Sequence, residues 1–226
     1  MKTISCIIPT YNEENRIEGV LKAVIRHPLI NEIIVVDDGS ADNTQNVVKK
    51  YQDVSLIIHP KNRGKSAAVS TGIKKSTGDF ILLLDADLIG LTQANITSSV
   101  EPVLQGIADV TISLRKNTPG FWKKIGLDYI SGERVLPRKI LSDSLEKIES
   151  LPGFGLESFM NKKIISNKFR IKVVTWNNVI SPYKATKYGM WTGIKGEIKM
   201  WTDIAKTIGF WGPFYQIIKM LRLKVK

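Results

Sequence analysis

Apolar residues follow two alternating rhythms along the first half of this chain. The short continuous runs ISCIIP (4–9), EIIVVD (32–37), SLIIH (55–59) and FILLL (80–84) are too short for helices and predict strands. Between them, residues 14–25 carry Ile17, Leu21, Val24 and Ile25 at helical spacing, and residues 64–75 read as a further helix. In the turn cluster DDGSADNT, Asp42 and Gln45 are spaced like a capping box for a helix reaching Lys50. A helix at about 95–105 and a strand at 109–114 complete the alternation. Continuous apolar strands separated by helices predict a mostly parallel sheet covered on both faces. Right-handed crossovers then make it a doubly wound α/β layer.

Beyond residue 114 the rhythm breaks. Residues 115–139 mix bases, aromatics and glycines without a steady period, which predicts a long loop or short amphipathic helices. Residues 141–148 read as a helix, GFGLESFMNKKII begins another, and FRIKVVTW (169–176) reads as a strand. From Tyr183 onward the chain is helical in pattern, aromatic and basic. The expected organisation is an α/β half (1–113), a second half of the same domain (114–182) and basic amphipathic C-terminal helices (183–226).

Composition sharpens this division. The chain has 226 residues, 43% of them hydrophobic, enough for the core of one domain and too many for disorder. Its one cysteine, Cys6, excludes an intrachain disulfide and fits a reducing compartment. The N-terminal apolar run is too short and too quickly followed by acids for a secretory signal, and no stretch approaches the ~18 uncharged residues of a membrane span. The expected location is cytoplasmic. Residues 1–113 carry a net charge of −2 and residues 114–226 carry +14, and all five tryptophans lie in the second half. That half therefore suits an anionic partner such as nucleic acid, acidic lipid or a phosphorylated substrate, or else is a solvated basic surface.

Candidate chemistry gathers where the strands end. In parallel α/β sheets, ligands bind beyond the carboxyl ends of strands. The first strand leads into Thr10, Tyr11, Asn12 and Glu13, and the second into Asp37, Asp38, Gly39 and Ser40. The third leads to Asn62, Arg63, Gly64 and Lys65, and the fourth to Asp85-Ala86-Asp87. Each cluster has a task in a nucleotide-sugar site. Tyr11 can lie against a base, Asp38 can accept from a base N–H, and Glu13 can reach a ribose hydroxyl. Lys65 stands near a helix N-terminus, where an anion is favoured. Asp85 and Asp87 share a face of an extended chain. Two carboxylates and two phosphate oxygens suit Mg²⁺ or Mn²⁺, which would neutralise a diphosphate leaving group. A lone Asp-x-Asp is a weak signal, and its position after a buried strand, among three other clusters, strengthens it.

The segments CIIPTYNEENRI, IIVVDDGSADNT and NRGKSAAVSTGIKKSTGDFILLLDADL resemble the N-terminal half of family 2 glycosyltransferases with the GT-A fold. The resemblance covers about residues 3–90 and is shared with dolichol-phosphate mannose synthases and glucosyl-3-phosphoglycerate synthases. It implies that Pro9, Tyr11, Glu13, Asp38 and Lys65 line the nucleotide and that Asp85 and Asp87 hold the metal; Asn12, Asp85 and Ala86 are expected to bind the nucleotide sugar with them, and Asp87 to be catalytic through the metal. SGERVLPRK followed by LPGFGLE is similar to the acceptor side of the second group. Gly132 and Glu133 would then face the acceptor, and Glu157 would stand at the tip of an active-site helix. There are two departures. Inverting members usually carry an acidic pair at that helix, one acid being the base; here Glu157 is the only acid, the catalytic base if the acceptor is a hydroxyl, whereas a phosphate acceptor is already ionised and needs none. Relatives also often complete the metal shell with a late histidine, where this chain has NVISPYK. Its only histidines are His27, expected to be structural or exposed, and His59, expected in a loop role.

The expected activity is transfer of a sugar from a UDP- or GDP-sugar to a polyprenyl phosphate or another membrane-associated anion. Basic residues of 115–139, including Arg134 and Arg138, would hold its phosphate. At the C-terminus, Phe214, Ile217, Ile218 and Leu221 fall on one helical face beside Lys219, Arg222, Lys224 and Lys226. Either that face packs on the domain, or the helix lies in a membrane interface and makes the protein peripheral at the inner face of the cell membrane. Nucleic acid is disfavoured, because zinc spacing, RNA-recognition aromatics and a helix-turn-helix signature are all missing from the sequence. The alternatives are a nucleotidyltransferase on a similar sheet, and a non-catalytic membrane-binding module with a degenerate nucleotide site.

Overall fold

A computed structural model of the chain describes residues 2–152, 155–182, 202–203, 206–209 and 211–225. Strand β1 (Ile4–Thr10) is buried at every position because β2 (Glu32–Asp37) and β4 (Phe80–Leu83) flank it, both parallel. Outside β2 lies β3 (Ser55–Ile58). On the other side of β4 come β6 (Arg134–Pro137), β5 (Val110–Arg115) and β7 (Ile171–Trp176), giving the order β3-β2-β1-β4-β6-β5-β7. Only β6 runs against its neighbours. The order reverses between β1 and β4, the crevice where such sheets bind ligands.

Alternate residues of the central strands feed two cores. Ile4, Cys6 and Ile8 of β1, with Leu82 and Leu84, pack against α1 (Ile17–Val24) and α4 (Gln93–Leu104). Ile7, Ile81 and Leu83 point the other way, toward α3 (Lys65–Lys75) and α8 (Gly155–Ser166). Asp85 continues the parity of Ile81 and Leu83, so the backbone aims it at the face where α3 and α8 begin. The remaining helices are short: α2 (Thr44–Lys49), α5 (Gly120–Ile125), α6 (Lys139–Ser142) and α7 (Leu145–Glu149). Helix α9 (Gly212–Arg222) packs on α8.

The structure corrects several expectations. The mixed segment 115–139 contains, besides α5, the antiparallel strand β6, inserted between β4 and β5. It is only four residues long and holds an arginine and a proline, so neither period-2 alternation nor an apolar run marks it. The expected capping box at Asp42 does not form. Asn43 takes the N-cap position without a side-chain capping bond, while Asp42 accepts from the backbone and hydroxyl of Thr44. Thr92 and Asn95 instead make a reciprocal capping box for α4. The apolar face expected on α9 divides: Ile217 and Leu221 pack on the core, while Phe214 and Ile218 face outward. The helical pattern expected over 183–201, with Trp191 and Trp201, lies outside the described residues. Among those described, no helix is long and apolar enough to cross a membrane.

Candidate active site

Beyond the carboxyl end of β4, a lysine and two carboxylates meet. Lys65, the first residue of α3, places its ammonium 2.7 Å from Asp85 Oδ1 and 3.2 Å from Glu157 Oε1. Glu157 lies in the first turn of α8 and is buried, with Oε2 lacking a hydrogen-bond partner. Burial pulls the Lys65 ammonium down, but the carboxylates of Asp85 and Glu157 outweigh it and hold the pKa above its ordinary value. The third wall is Gly132. A Cβ there would stand 2.8 Å from Lys65 Nζ and 3.1 Å from both Asp85 oxygens, so any side chain at this position would push the Lys65–Asp85 pair aside. Asp87 Oδ1 accepts from Ser181 Oγ at 3.2 Å. Ser181 belongs to the NVISPYK segment, which the structure thus brings to Asp87 without a histidine.

The strand direction of β6 decides which predicted acceptor residues arrive. Leu83 pairs with Arg134 and Phe80 with Pro137, so β6 enters the sheet at this edge and leaves at the opposite one. Gly132 therefore reaches Asp85, whereas Arg138 ends beside Asp79 and Gly78, about 20 Å further along an extended chain. Arg138 is not brought to the site. Arg134 is at the right level but points into the core, where its guanidinium donates to Ser131 O at 2.6 Å, Asn161 Oδ1 at 2.6 Å and Tyr129 O at 3.1 Å. Its burial lowers its pKa. It buttresses the loop, and its donors do not face the cleft. Glu133 is also turned inward. Its carboxylate accepts from Ser113 Oγ, Ser131 Oγ and Arg115 Nη1, and burial raises its pKa against the lowering effect of Arg115.

Sequence reading did not single out that Arg115. Its guanidinium also lies 3.6 Å from Asp128. Burial pulls its pKa down, yet the fields of Glu133, Asp128, Asp85 and Asp87 together raise it. The network of Arg115, Asp128 and Glu133 underlies the aspartate pair. Its one sequence signal is a set of charges in a stretch that looked like loop, and nothing in their spacing marks them as buried.

On the other side of the crevice, Pro9 and Thr10 are buried at the end of β1 and Tyr11 is exposed beyond them. Asn12 takes a left-handed φ of 53° and ties the two loops: its N–H donates to Ser40 Oγ, and its Oδ1 accepts from Ala41 N. Glu13 is largely buried and pairs with Arg16 at 2.6 Å. Asp38, expected to accept from a base, is already engaged. It accepts from the backbone N–H of Arg63 and Gly64 and from His59 Nδ1 at 2.7 Å. The loop that presents Lys65 is thus held by Asp38 and His59, with His59 Nε2 on Thr71. Gly39 has a φ of 76°, and a Cβ there would meet the backbone of Lys61 at 2.7 Å. Asp37 is fully buried. Its Oδ1 accepts from Ser40 N and Gln45 Nε2, and its Oδ2 has no partner. Ala86 packs in the core with Leu84 and Leu88. His27 bonds Gln93 O and Thr97 Oγ1, a structural tie to α4, and burial lowers its pKa.

The donor set fits a hard divalent ion. Asp85 and Asp87 offer only carboxylate oxygens, and Asp85 already receives one cation, the Lys65 ammonium. Among the described residues no group of three or more His, Cys, Asp and Glu is arranged to hold a metal. Two carboxylates alone would leave room for the phosphates and water that Mg²⁺ prefers to keep.

Known proteins share the sequence pattern and the fold. The sequence profile described as "Glycosyl transferase family 2" matches residues 5–169. Human dolichyl-phosphate beta-glucosyltransferase is 37% identical over 124 residues, 48% of this chain and 37% of its own length. The Trichomonas vaginalis dolichyl-phosphate beta-glucosyltransferase ALG5C is 34% identical over 117 residues, 46% of this chain and 34% of its own. The chain thus spans about a third of the length of the curated relatives it matches. Glucosyl-3-phosphoglycerate synthase of Mycobacterium tuberculosis, in complex with Mn²⁺, UDP-glucose and phosphoglyceric acid, superposes with a TM-score of 0.72. It is 20% identical, with 91% of this chain and 79% of that one covered. The sheet order, the reversal at β1 and β4, and a profile match over most of the chain lead to one conclusion: this chain belongs to family 2 of the glycosyltransferases and has their GT-A fold.

Proposed function

We propose that this protein transfers a sugar from a UDP- or GDP-sugar to a phosphate-bearing, membrane-associated acceptor, with Mg²⁺ or Mn²⁺ held by Asp85 and Asp87. The observation that carries the reading is the meeting of Lys65, Asp85, Glu157 and Gly132 at the switch point. Lys65 and the aspartate pair supply the charges a diphosphate leaving group requires. When bound, the metal would neutralise charge on the departing diphosphate. Tyr11 and Glu13 border the side of the crevice where a base and ribose would lie, and Asp37, whose Oδ2 has no partner, pairs with Thr10 at the end of β1.

Glu157 has two possible partners. A hydroxyl acceptor needs a base, and Glu157 is the only acid in the first turn of α8. A phosphate acceptor needs none, and Glu157 then serves to orient Lys65. The basic second half and the relatives named for dolichyl phosphate support the phosphate reading. With the Arg134 guanidinium turned into the core and Arg138 on Gly78 O, we assign that task to the exposed bases of 115–139, such as Lys123 and Lys124. The same bases support a peripheral position at an anionic membrane. The family match weighs against a nucleotidyltransferase.

The test is a donor screen. Hydrolysis of UDP- and GDP-sugars, UDP-glucose first, is measured with and without Mn²⁺, then with polyprenyl phosphate in detergent. Metal-dependent sugar release from one donor, raised by the lipid phosphate, is expected. Diphosphate release from nucleoside triphosphates in place of sugar transfer would contradict the proposal.

A further inference from the structure

We infer that the outward face of α9 is a docking surface for an anionic lipid bilayer, formed by Trp211, Phe214, Tyr215 and Ile218. The apolar face expected from sequence was Phe214, Ile217, Ile218 and Leu221, and the structure rotates it. Pro213, Gln216 and Met220 are buried against the domain, with Ile217 and Leu221 partly packed beside them. What remains outside is a second apolar stripe at positions i, i+3, i+4 and i+7. Trp211 is 72% exposed, Phe214 60%, Tyr215 58% and Ile218 54%, a density of large apolar side chains that a solvated helix face does not ordinarily carry.

Two observations choose the occupant. The first is aromatic composition: Trp and Tyr favour the boundary between headgroups and acyl chains. The second is charge. Residues 204–226 contain no Asp or Glu and hold Lys206, Lys219, Arg222, Lys224 and Lys226. Lys219 leans over the Tyr215 ring at 5.4 Å, and Arg222 extends the exposed stripe by one turn. An aromatic stripe flanked by Lys219 and Arg222, on a segment without acids, complements anionic lipid, and the helix, at about 16 Å, is too short to span and long enough to lie in the interface plane.

The inner face connects this surface to the site. Gln216 Nε2 donates to Ser158 O, one residue beyond Glu157, and Gln216 Oε1 accepts from Tyr129 OH at 2.8 Å. Lys224 Nζ donates to Gly126 O at the end of α5, a helix whose Phe121 and Lys123 are exposed. A helix seated in headgroups would thus be bolted to the first turn of α8. This specifies the surface that a membrane-borne acceptor would use; lipid docking itself requires neither donor nor transfer, so the two readings can fail separately.

The experiment is vesicle co-sedimentation of the full chain, with phosphatidylglycerol-containing vesicles against pure phosphatidylcholine, comparing wild type with Phe214→Ser/Ile218→Ser and Lys219→Glu/Arg222→Glu. Wild type should partition at least about tenfold more strongly to the anionic vesicles, and both variants should lose about tenfold or more of that binding. Thermal melting and donor hydrolysis in detergent should match wild type, because the substituted side chains point away from the core. Variants that bind vesicles like wild type would overturn the inference. So would a wild-type chain that ignores anionic vesicles, including one that forms a dimer dispersed by Phe214→Ser/Ile218→Ser, which would assign the stripe to a second copy.

Discussion

Lys65 Nζ lies between Asp85 Oδ1, at 2.7 Å, and Glu157 Oε1, at 3.2 Å, and so joins the end of β4 to the start of α8 through one ammonium. Replacing it with methionine keeps the stem and removes the charge. Lys65→Met should lower sugar-donor turnover by about 10²–10³-fold, the usual cost of a lost electrostatic donor at a leaving group. Donor hydrolysis at saturating Mn²⁺ checks this. A loss below threefold would show that the ammonium does not act on the diphosphate.

Gly132 sets how tightly that pair closes. Gly132→Ala inserts a methyl 2.8 Å from Lys65 Nζ and 3.1 Å from both oxygens of Asp85. The lysine tip moves more readily than the backbone, so the chain should still fold while the charges separate. Catalytic efficiency should fall about 10²-fold, the scale of an ångström's misplacement, with thermal melting close to wild type.

Glu157 separates the two acceptor chemistries. With a hydroxyl acceptor, Glu157→Gln should cost about 10²–10⁴-fold in transfer, because a base is lost. The phosphate acceptor favoured above predicts a loss of no more than about tenfold and an unchanged nucleotide affinity. Steady-state transfer and a nucleotide titration on the same variant decide between them.

Much of this was legible in sequence, for identifiable reasons. Buried parallel strands read as unbroken apolar runs, so six of the seven strands and their order along the chain follow from the pattern. The clusters at strand ends follow from the same reading, since a strand's direction fixes which end faces the ligand. β6 was hidden because it borrows two neighbours to bury Val135 and Leu136, and its other residues look like loop. Arg134 was misplaced for a related reason. A long cationic side chain is ordinarily exposed, and the loop carbonyls of Tyr129 and Ser131, with Asn161 Oδ1, make its burial possible. The engagement of Asp38 is invisible in sequence because its partners, the N–H groups of Arg63 and Gly64, come from a distant turn.

Arg134 and Arg138 provide a paired check on that correction. Arg134→Leu strands three acceptors, Ser131 O, Tyr129 O and Asn161 Oδ1, and should destabilise the fold by about 3 kcal/mol or more. Arg138→Ala should leave acceptor KM unchanged, because its guanidinium sits at the opposite sheet edge on Gly78 O. Denaturant unfolding and acceptor titration measure the two effects.

Glu32 gives the acid limb of stability. Its burial alone would raise its pKa. The donors Ser5 Oγ, Thr77 N, Thr77 Oγ1 and Gly78 N outweigh that and hold the carboxyl below its ordinary value. A carboxylate with a depressed folded pKa stabilises above its unfolded pKa, and that contribution is lost as pH falls through the folded one. Glu32→Gln should therefore melt below wild type at pH 7, and the gap should close as pH drops beneath the usual carboxylate range. A gap independent of pH between 7 and 3 would assign the effect to packing.

The central claim is that Asp85 and Asp87 hold a divalent ion against a nucleotide-sugar diphosphate. The most direct measurement is calorimetric binding and hydrolysis of the preferred UDP- or GDP-sugar, with and without Mn²⁺, by wild type and Asp87→Ala. The account predicts Mn²⁺-dependent donor binding in wild type and at least about a 10²-fold loss of turnover in the variant. An Asp87→Ala protein that binds and turns over its donor as wild type does would contradict it.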